Sequence, residues 1–217
     1  MSQVSETIRT LRYELSFREL DKKMMNKNPY RQFEQWMDDA IQAGVIEPNA
    51  MTLATVSKKG FPDARIVLLR GINKDGFSFF TNYKSKKGQD LSNNNKACLN
   101  FFWTELSRQV RINGTVKKLS ATESNAYFNS RPRESQLGAW ASSQSEKVIS
   151  RDKLEKQFAA YEKKFAGKKV SRPPHWGGFI LNPSKIEFWQ GRTNRMHDRI
   201  VYLKQNGGRW KIERLSP

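Results

Sequence analysis

The chain carries one cysteine, Cys98, and two histidines, His175 and His197. A lone cysteine excludes an intrachain disulfide framework. So few thiols and imidazoles leave zinc without a ligand set, so no metal site is expected. Cys98 stands in the apolar run Ala97-Cys98-Leu99-Asn100-Phe101-Phe102 and reads as a buried, inert thiol in a reducing compartment. No run approaches the roughly 18 apolar residues of a membrane span. The first residues, Met1-Ser2-Gln3-Val4-Ser5-Glu6, lack an apolar signal core. The expected compartment is the cytoplasm, with no stable membrane association. There is no Gly-x-Gly-x-x-Gly run, no Gly-x-x-x-x-Gly-Lys-Ser/Thr run and no Gly-x-Ser-x-Gly elbow, so dinucleotide, P-loop and serine-hydrolase readings have no support. Acidic residues are also scarce, 21 against 39 basic ones.

That imbalance gives a formal charge of +18 and implies attraction to anions. Nucleic acid, acidic lipid and phosphorylated small molecules all answer to it. The basic residues are spread along the chain, and no nucleic-acid-binding motif accompanies them, so no nucleic acid partner is expected. Hydrophobic residues make up 37% of 217 residues, enough for one packed domain. Residues 1–27 are polar, with scattered apolar side chains, and read as a mobile N-terminal arm; residues 28–217 read as a single domain.

Asn28-Pro29 opens a helix, with Asn as N-cap and Pro at the first position. Phe33, Trp36, Met37, Ala40 and Ile41 share its apolar face, and Gly44 is placed to stop it. The period then changes. Met51–Ser57, Ala64–Leu69 and Phe77–Thr81 read as strands, joined by Lys58-Lys59-Gly60 and Asn73-Lys74-Asp75-Gly76. Such short joints demand antiparallel hairpins. Ser85 caps a short helix over 86–93. Strands follow over Ala97–Trp103 and Gln109–Leu119. Ser120-Ala121-Thr122-Glu123 is a capping box before a helix that ends near Pro132. Residues 135–148 read as loop and short turns, and Arg151–Phe165 as a helix. Gly178–Leu181, Ile186–Trp189, Arg199–Leu203 and Arg209–Arg214 read as strands, the last two joined by Asn206-Gly207-Gly208. The fold reading is a mainly β barrel with flanking helices, since closure removes exposed edges.

The densest chemistry lies in Ile186-Glu187-Phe188-Trp189-Gln190-Gly191-Arg192-Thr193-Asn194-Arg195-Met196-His197-Asp198-Arg199. If extended, it sets Arg195, His197 and Arg199 on one face. Arginine forks and a tryptophan beside them suit a planar anionic ligand. The alternative is a salt-bridged surface strand using Glu187 and Asp198. Three other basic clusters stand apart. Arg65 and Arg70 bracket an apolar strand and can stand at a pocket rim. Ser85, Lys86 and Lys87 sit at a helix start suited to phosphate. Arg131, Arg133 and Ser135 form the third, with Tyr127 one turn before. Several anion sites in one chain suggest more than one phosphate.

At these residues the chain resembles the pyridoxine/pyridoxamine 5′-phosphate oxidase family. The Ile186–Gly191 stretch followed by Arg195-Met196-His197-Asp198-Arg199 is similar to its signature. Arg65–Arg70, Ser130-Arg131-Pro132-Arg133-Glu134-Ser135-Gln136, Gly138-Ala139-Trp140 and Trp210–Pro217 are further likenesses. The resemblance runs from about residue 28 onward. It implies an FMN-binding split β-barrel, assembled as a homodimer with FMN in clefts at the subunit interface. It implies Arg65, Ile66, Val67, Leu68, Leu69, Arg70, Phe80, Thr81, Lys86, Lys87, Gln109, Gln144, Ser145, Trp189 and Arg199 around FMN. Arg70, Tyr127, Arg131 and Ser135 would meet the substrate phosphate, and Arg195, Met196 and His197 the substrate ring, with Arg195 and His197 as the catalytic pair. The implied activity is that of a pyridoxal 5′-phosphate synthase: oxidation of pyridoxamine 5′-phosphate and pyridoxine 5′-phosphate, with O2 as acceptor and H2O2 released. A related split-barrel flavin reductase or other flavoprotein is the rival reading. The chain departs from the family pattern at Arg70 (often lysine), Phe80 (commonly tyrosine) and Lys86 (frequently arginine). In the arm, Arg12 fits a Leu-Arg pattern, while Leu15 stands where the family pattern has a tyrosine that helps cover the substrate.

Overall fold

A computed structural model describes residues 19–217. Arg12, Leu15 and most of the expected arm lie outside the described residues. The chain packs as two compact units. The larger holds Asn49–Phe101 and Ile112–Ser184; the smaller holds residues 19–48, Phe102–Arg111 and Lys185–Pro217.

In the larger unit, strands β1 (Ala50–Val56), β2 (Pro62–Leu68), β3 (Gly71–Asn73) and β4 (Gly76–Asn82) are followed by helix α1 (Lys86–Asn93). Strands β5 (Lys96–Trp103), β6 (Arg108–Lys118) and β7 (Trp176–Gln190) each run on into the smaller unit. The strand order is β2-β1-β5-β6-β7-β4-β3. The β1–β2 hairpin is antiparallel, from Ala50 opposite Leu68 to Val56 opposite Pro62, and β1 buries alternate residues, as one covered face demands. β4 and β7 pair from Phe77 opposite Leu181 to Asn82 opposite Trp176. Ser85 caps α1, its Oγ accepting from the Gly88 N–H. Helices α2 (Ala121–Ser130), α3 (Arg133–Ala141) and α4 (Arg151–Lys164) follow. The capping box at Ser120 and Glu123 forms as expected. Phe128, Leu137, Phe165, Val170 and Trp176 make a satellite core, against which Phe80, Tyr127 and Trp140 pack.

In the smaller unit, helix α5 (Pro29–Gln42) starts at Asn28, whose Oδ1 accepts from the Tyr30 N–H. Helix α5 precedes the others in sequence. It buries Phe33, Trp36 and Ala40, with Trp36 edge-on to Phe188 at 5.1 Å and Phe33 6.2 Å from Trp103. Burial of each large side chain contributes roughly 1.5–3 kcal/mol. Ile41, expected on that face, is 58% exposed. Strand β8 (Asp198–Lys204) pairs with both β7 and β9 (Trp210–Leu215), and Gly207 takes the positive φ that the β8–β9 turn requires. Residues 19–27 hold a short 3-10 turn over Lys22–Met24, and the Leu20 N–H donates to Asp198.

Three further expectations need correction. Residues 135–148 are not all loop: α3 starts just after Pro132 and buries Leu137 and Ala141, four residues apart on one face. The two segments around Pro183 are one 15-residue strand. Proline is accommodated because residues 182–184 lie between the stretches of β7 paired with β4 and with β8. Cys98 is half-buried rather than fully buried. The expected fold class, mainly antiparallel β with flanking helices, stands.

Candidate active site

A cavity of about 460 Å3 lies in the larger unit. Its lining includes three aromatic side chains in a layered stack. Phe80 lies 3.9 Å from Tyr127 at an interplanar angle of 21° and 5.5 Å from Trp176 at 14°. Gly178 leaves the stack undisturbed: a Cβ there would stand 2.7 Å from the Phe80 ring and 2.5 Å from Leu119, so those side chains would have to shift. The end of β2 contributes Ile66, Val67 and Leu68 to the wall, and Ile66 is 65% exposed.

Cations complete the lining. Arg70 lies 5.9 Å from the Tyr127 ring centroid. Arg131 stacks its guanidinium 4.6 Å from Trp176 and 5.7 Å from Phe128. Its Nη1 is buried and has no hydrogen-bond partner among the described residues. Burial, with help from the charge of Arg70, makes Arg131 easier to deprotonate than an ordinary arginine, although Tyr127 opposes this. Lys87 is buried at the first turn of α1, its Nζ 3.4 Å from Gln144 Oε1. Burial first, and the charge of Arg65 second, lower its pKa from 10.5, while Asp63 opposes the shift. Each of these groups gains if an anion enters the cavity.

Beside this lining runs a second network in the same unit. Arg65 donates from Nη1 to the Leu53 carbonyl at 3.0 Å and to Thr55 Oγ1 at 2.7 Å, and from Nη2 to Asp63 at 2.6 Å. The Thr55 hydroxyl donates to Asp90 at 3.0 Å, and Lys86 donates to the other Asp90 oxygen at 2.5 Å.

In the smaller unit, Trp189 on β7 lies opposite Arg199 on β8, and its ring is 4.7 Å from that of His197. The Arg192 N–H donates to His197 Nδ1 at 3.1 Å, which puts the proton of a neutral imidazole on Nε2. Arg199 donates to buried Glu187 at 3.0 Å and to the Ser216 carbonyl at 2.8 Å. The stretch from Arg195 to Arg199 is not one extended strand. Thr193–Arg195 forms a 3-10 turn, with Asn194 and Arg195 at φ of 54° and 59°. Asn tolerates the left-handed region, whereas for Arg it is uncommon and stores strain of about 1 kcal/mol or more. Arg195 and Met196 are exposed.

Of the expected site residues, Ile66, Val67, Leu68, Arg70, Phe80, Thr81, Lys87, Tyr127, Arg131, Ser135 and Gln144 come together in the cavity. Leu69 is buried outside its lining, and Ser145 is an exposed residue at φ 73°. Arg65 and Lys86 meet in the second network. Gln109, half-buried on β6, belongs to the smaller unit with Trp189, Arg195, Met196, His197 and Arg199. Sequence reasoning missed Trp176 in the stack, and Thr55 and Asp90 behind the cations. The spacing of Lys86 and Asp90, one helical turn apart, was the available signal for the last.

Residues 37–165 match the family model described as pyridoxamine 5′-phosphate oxidase. Residues 176–217 match the pyridoxine 5′-phosphate oxidase C-terminal dimerisation region. A pyridoxine/pyridoxamine 5′-phosphate oxidase of Cyanothece sp. is 51% identical over 97% of this chain and 99% of its own length. That of Cupriavidus metallidurans is 56% identical over 88% of this chain and 89% of its own length. Among solved structures, PhzG from Burkholderia lata, in complex with tetrahydrophenazine-1-carboxylic acid, superposes with a TM-score of 0.86 at 28% identity, covering 93% of this chain and 100% of that one. A pyridoxamine 5′-phosphate oxidase-related, FMN-binding protein from Nostoc punctiforme superposes at 0.70 with 17% identity, covering 89% and 100%.

Proposed function

The chain belongs to the pyridoxamine 5′-phosphate oxidase family, and from that premise we propose that it oxidises pyridoxamine 5′-phosphate and pyridoxine 5′-phosphate to pyridoxal 5′-phosphate with FMN, O2 serving as final acceptor and H2O2 leaving. The observation that carries this reading is the cavity where an aromatic stack meets Arg131, whose buried Nη1 is without a partner among the described residues. A phosphate supplies the acceptor that Arg131 needs.

The donor set fits FMN as well as substrate. Lys87, with Arg65 and Lys86, offers cations to the cofactor phosphate. Ile66, Val67 and Leu68 offer apolar and backbone surface to a flat ring, and Thr81 and Gln144 offer polar edges. Held by these residues, FMN would supply the acceptor for a hydride from the substrate C4′ carbon, with O2 as the final oxidant. The alcohol yields the aldehyde directly; the amine yields an imine that water hydrolyses to aldehyde and ammonia. On this reading Arg70, Tyr127, Arg131 and Ser135 hold the substrate phosphate. Arg195 and His197 orient the substrate ring and polarise its substituents, Met196 lies with them, and Trp189, Gln109, Ser145 and Arg199 complete the cofactor's surroundings. The assembly is a homodimer with FMN in clefts at the subunit interface, a reading supported by the dimerisation-region match. The lone cysteine suits the cytoplasm.

The test is an anaerobic half-reaction on the FMN-loaded protein. Pyridoxamine 5′-phosphate should bleach the flavin absorbance, and oxygen should restore it with aldehyde formed. An unbleached flavin with both substrates would reject this reading in favour of another split-barrel flavoprotein.

A further inference from the structure

We propose that Asp90 is a positioning residue of the cofactor site: it fixes Lys86 directly and Arg65 through Thr55, so that both cations are already in place for the phosphate end of the flavin. The inference rests on the reading of Arg65 and Lys86 as FMN-binding residues.

Asp90 is 3% exposed, and a buried carboxylate persists only when its lone pairs are met. Here the two oxygens are divided. Oδ1 takes the Lys86 ammonium at 2.5 Å, and Oδ2 takes the Thr55 hydroxyl at 3.0 Å. Thr55 is itself 1% exposed. A hydroxyl has one proton, and this one is committed to Asp90. The oxygen therefore presents lone pairs to its other neighbour, Arg65 Nη1, at 2.7 Å. Asp90 thus decides which way the Thr55 hydroxyl points, and that direction gives Arg65 an acceptor.

Ordinary helix stabilisation does not account for the arrangement. Lys86 and Asp90 are one turn apart on α1, but lysine precedes the acid, the weaker order for such a pair on a helix. The Lys86 side chain is 48% exposed and the Asp90 side chain 5%, so the acid reaches inward to Thr55 while the lysine extends outward. Nor does the cluster neutralise itself. Arg65, Lys86 and Lys87 face Asp63 and Asp90, which leaves excess positive charge for an anion. The lowered basicity of Lys87, caused by burial and then by Arg65, agrees with that excess.

The test compares FMN with riboflavin, which lacks the phosphate, by titrating full-length apoprotein and following quenching of flavin fluorescence. Asp90→Asn should weaken FMN binding about tenfold and riboflavin binding less than twofold. The near-isosteric Thr55→Val should weaken FMN alone, by about threefold, and carries the same test if Asp90→Asn lowers the yield of folded protein. In a Lys86→Met background the Asp90→Asn loss should shrink to less than about threefold, since one of its two partners is already gone. Equal losses for both flavins, unchanged FMN binding in both Asp90→Asn and Thr55→Val, or fully additive losses with Lys86→Met would overturn the proposal. A wild-type chain that binds FMN no more tightly than riboflavin would overturn the cofactor reading beneath it.

Discussion

In the smaller unit, Glu187 is 2% exposed and is met by Arg111 at 2.6 Å and Arg199 at 3.0 Å. In the larger unit, Arg131 lies against Trp176 with Nη1 buried and no hydrogen-bond partner among the described residues. Both are costly places for charge, and the chain treats them differently. Burial alone would raise the Glu187 pKa, but hydrogen bonds from Arg199 and Arg111, with their charges, outweigh it and hold the carboxyl below its ordinary 4.5. Arg131 keeps its burial penalty. The Glu187 carboxylate is satisfied from within the chain, whereas Arg131 Nη1, set among the aromatic lining of a cavity, is left wanting an acceptor.

The largest test of that contrast is Glu187→Gln. It leaves Arg111 and Arg199 short of a countercharge and should lower unfolding free energy by about 3–5 kcal/mol, measured by denaturant titration at neutral pH. The sign of the pH dependence follows from the depressed pKa. Glu187 contributes fully above 4.5, and the contribution fades as pH falls through its lower folded value. The gap between wild type and variant should therefore narrow in acid; a pH-independent gap would remove the charge argument.

Arg131→Met should do the reverse. It should cut kcat/KM for pyridoxamine 5′-phosphate on the order of 100-fold, about 2.7 kcal/mol. Chain stability should hold or rise by up to about 1 kcal/mol, because a penalised buried cation is gone. A variant that loses stability and keeps turnover would erase the distinction between the two units.

The smallest effect concerns Lys87. A bound phosphate favours the ammonium form. FMN affinity should be complete below the lowered pKa of Lys87 and should fall as pH rises through it toward 10.5. Titration of the apoprotein across that range should give a falling curve, and Lys87→Met should make the fall shallower and shift its onset to higher pH.

How much of this could be read from the sequence depended on whether the signal was local. The capping box at Ser120 and the helix start at Asn28-Pro29 announce themselves within four residues, and both form. The α3 helix was obscured by Gly138 and by flanking Ser and Pro, although Leu137 and Ala141 hold the right spacing. The single β7 strand was hidden by Pro183, whose neighbours fall between two pairing stretches. In the cavity, Tyr127, Arg131 and Ser135 share one local motif and were legible together. Trp176 was not, because its ring reaches Phe80 only through the β4–β7 pairing. Thr55 and Asp90 lie 35 residues apart and meet only in the folded chain.

Gly178 carries a different consequence. A Cβ there would stand 2.7 Å from the Phe80 ring and 2.5 Å from a Leu119 methyl, so both side chains would have to shift. Phe80 is one layer of the stack that lines the cavity. The dimensions of the cavity are therefore set partly from behind its wall, by a residue outside its lining. For anyone redesigning substrate scope, this hidden backbone position is a dial: a single methyl group there would press on the aromatic layer while every ligand-facing residue kept its identity.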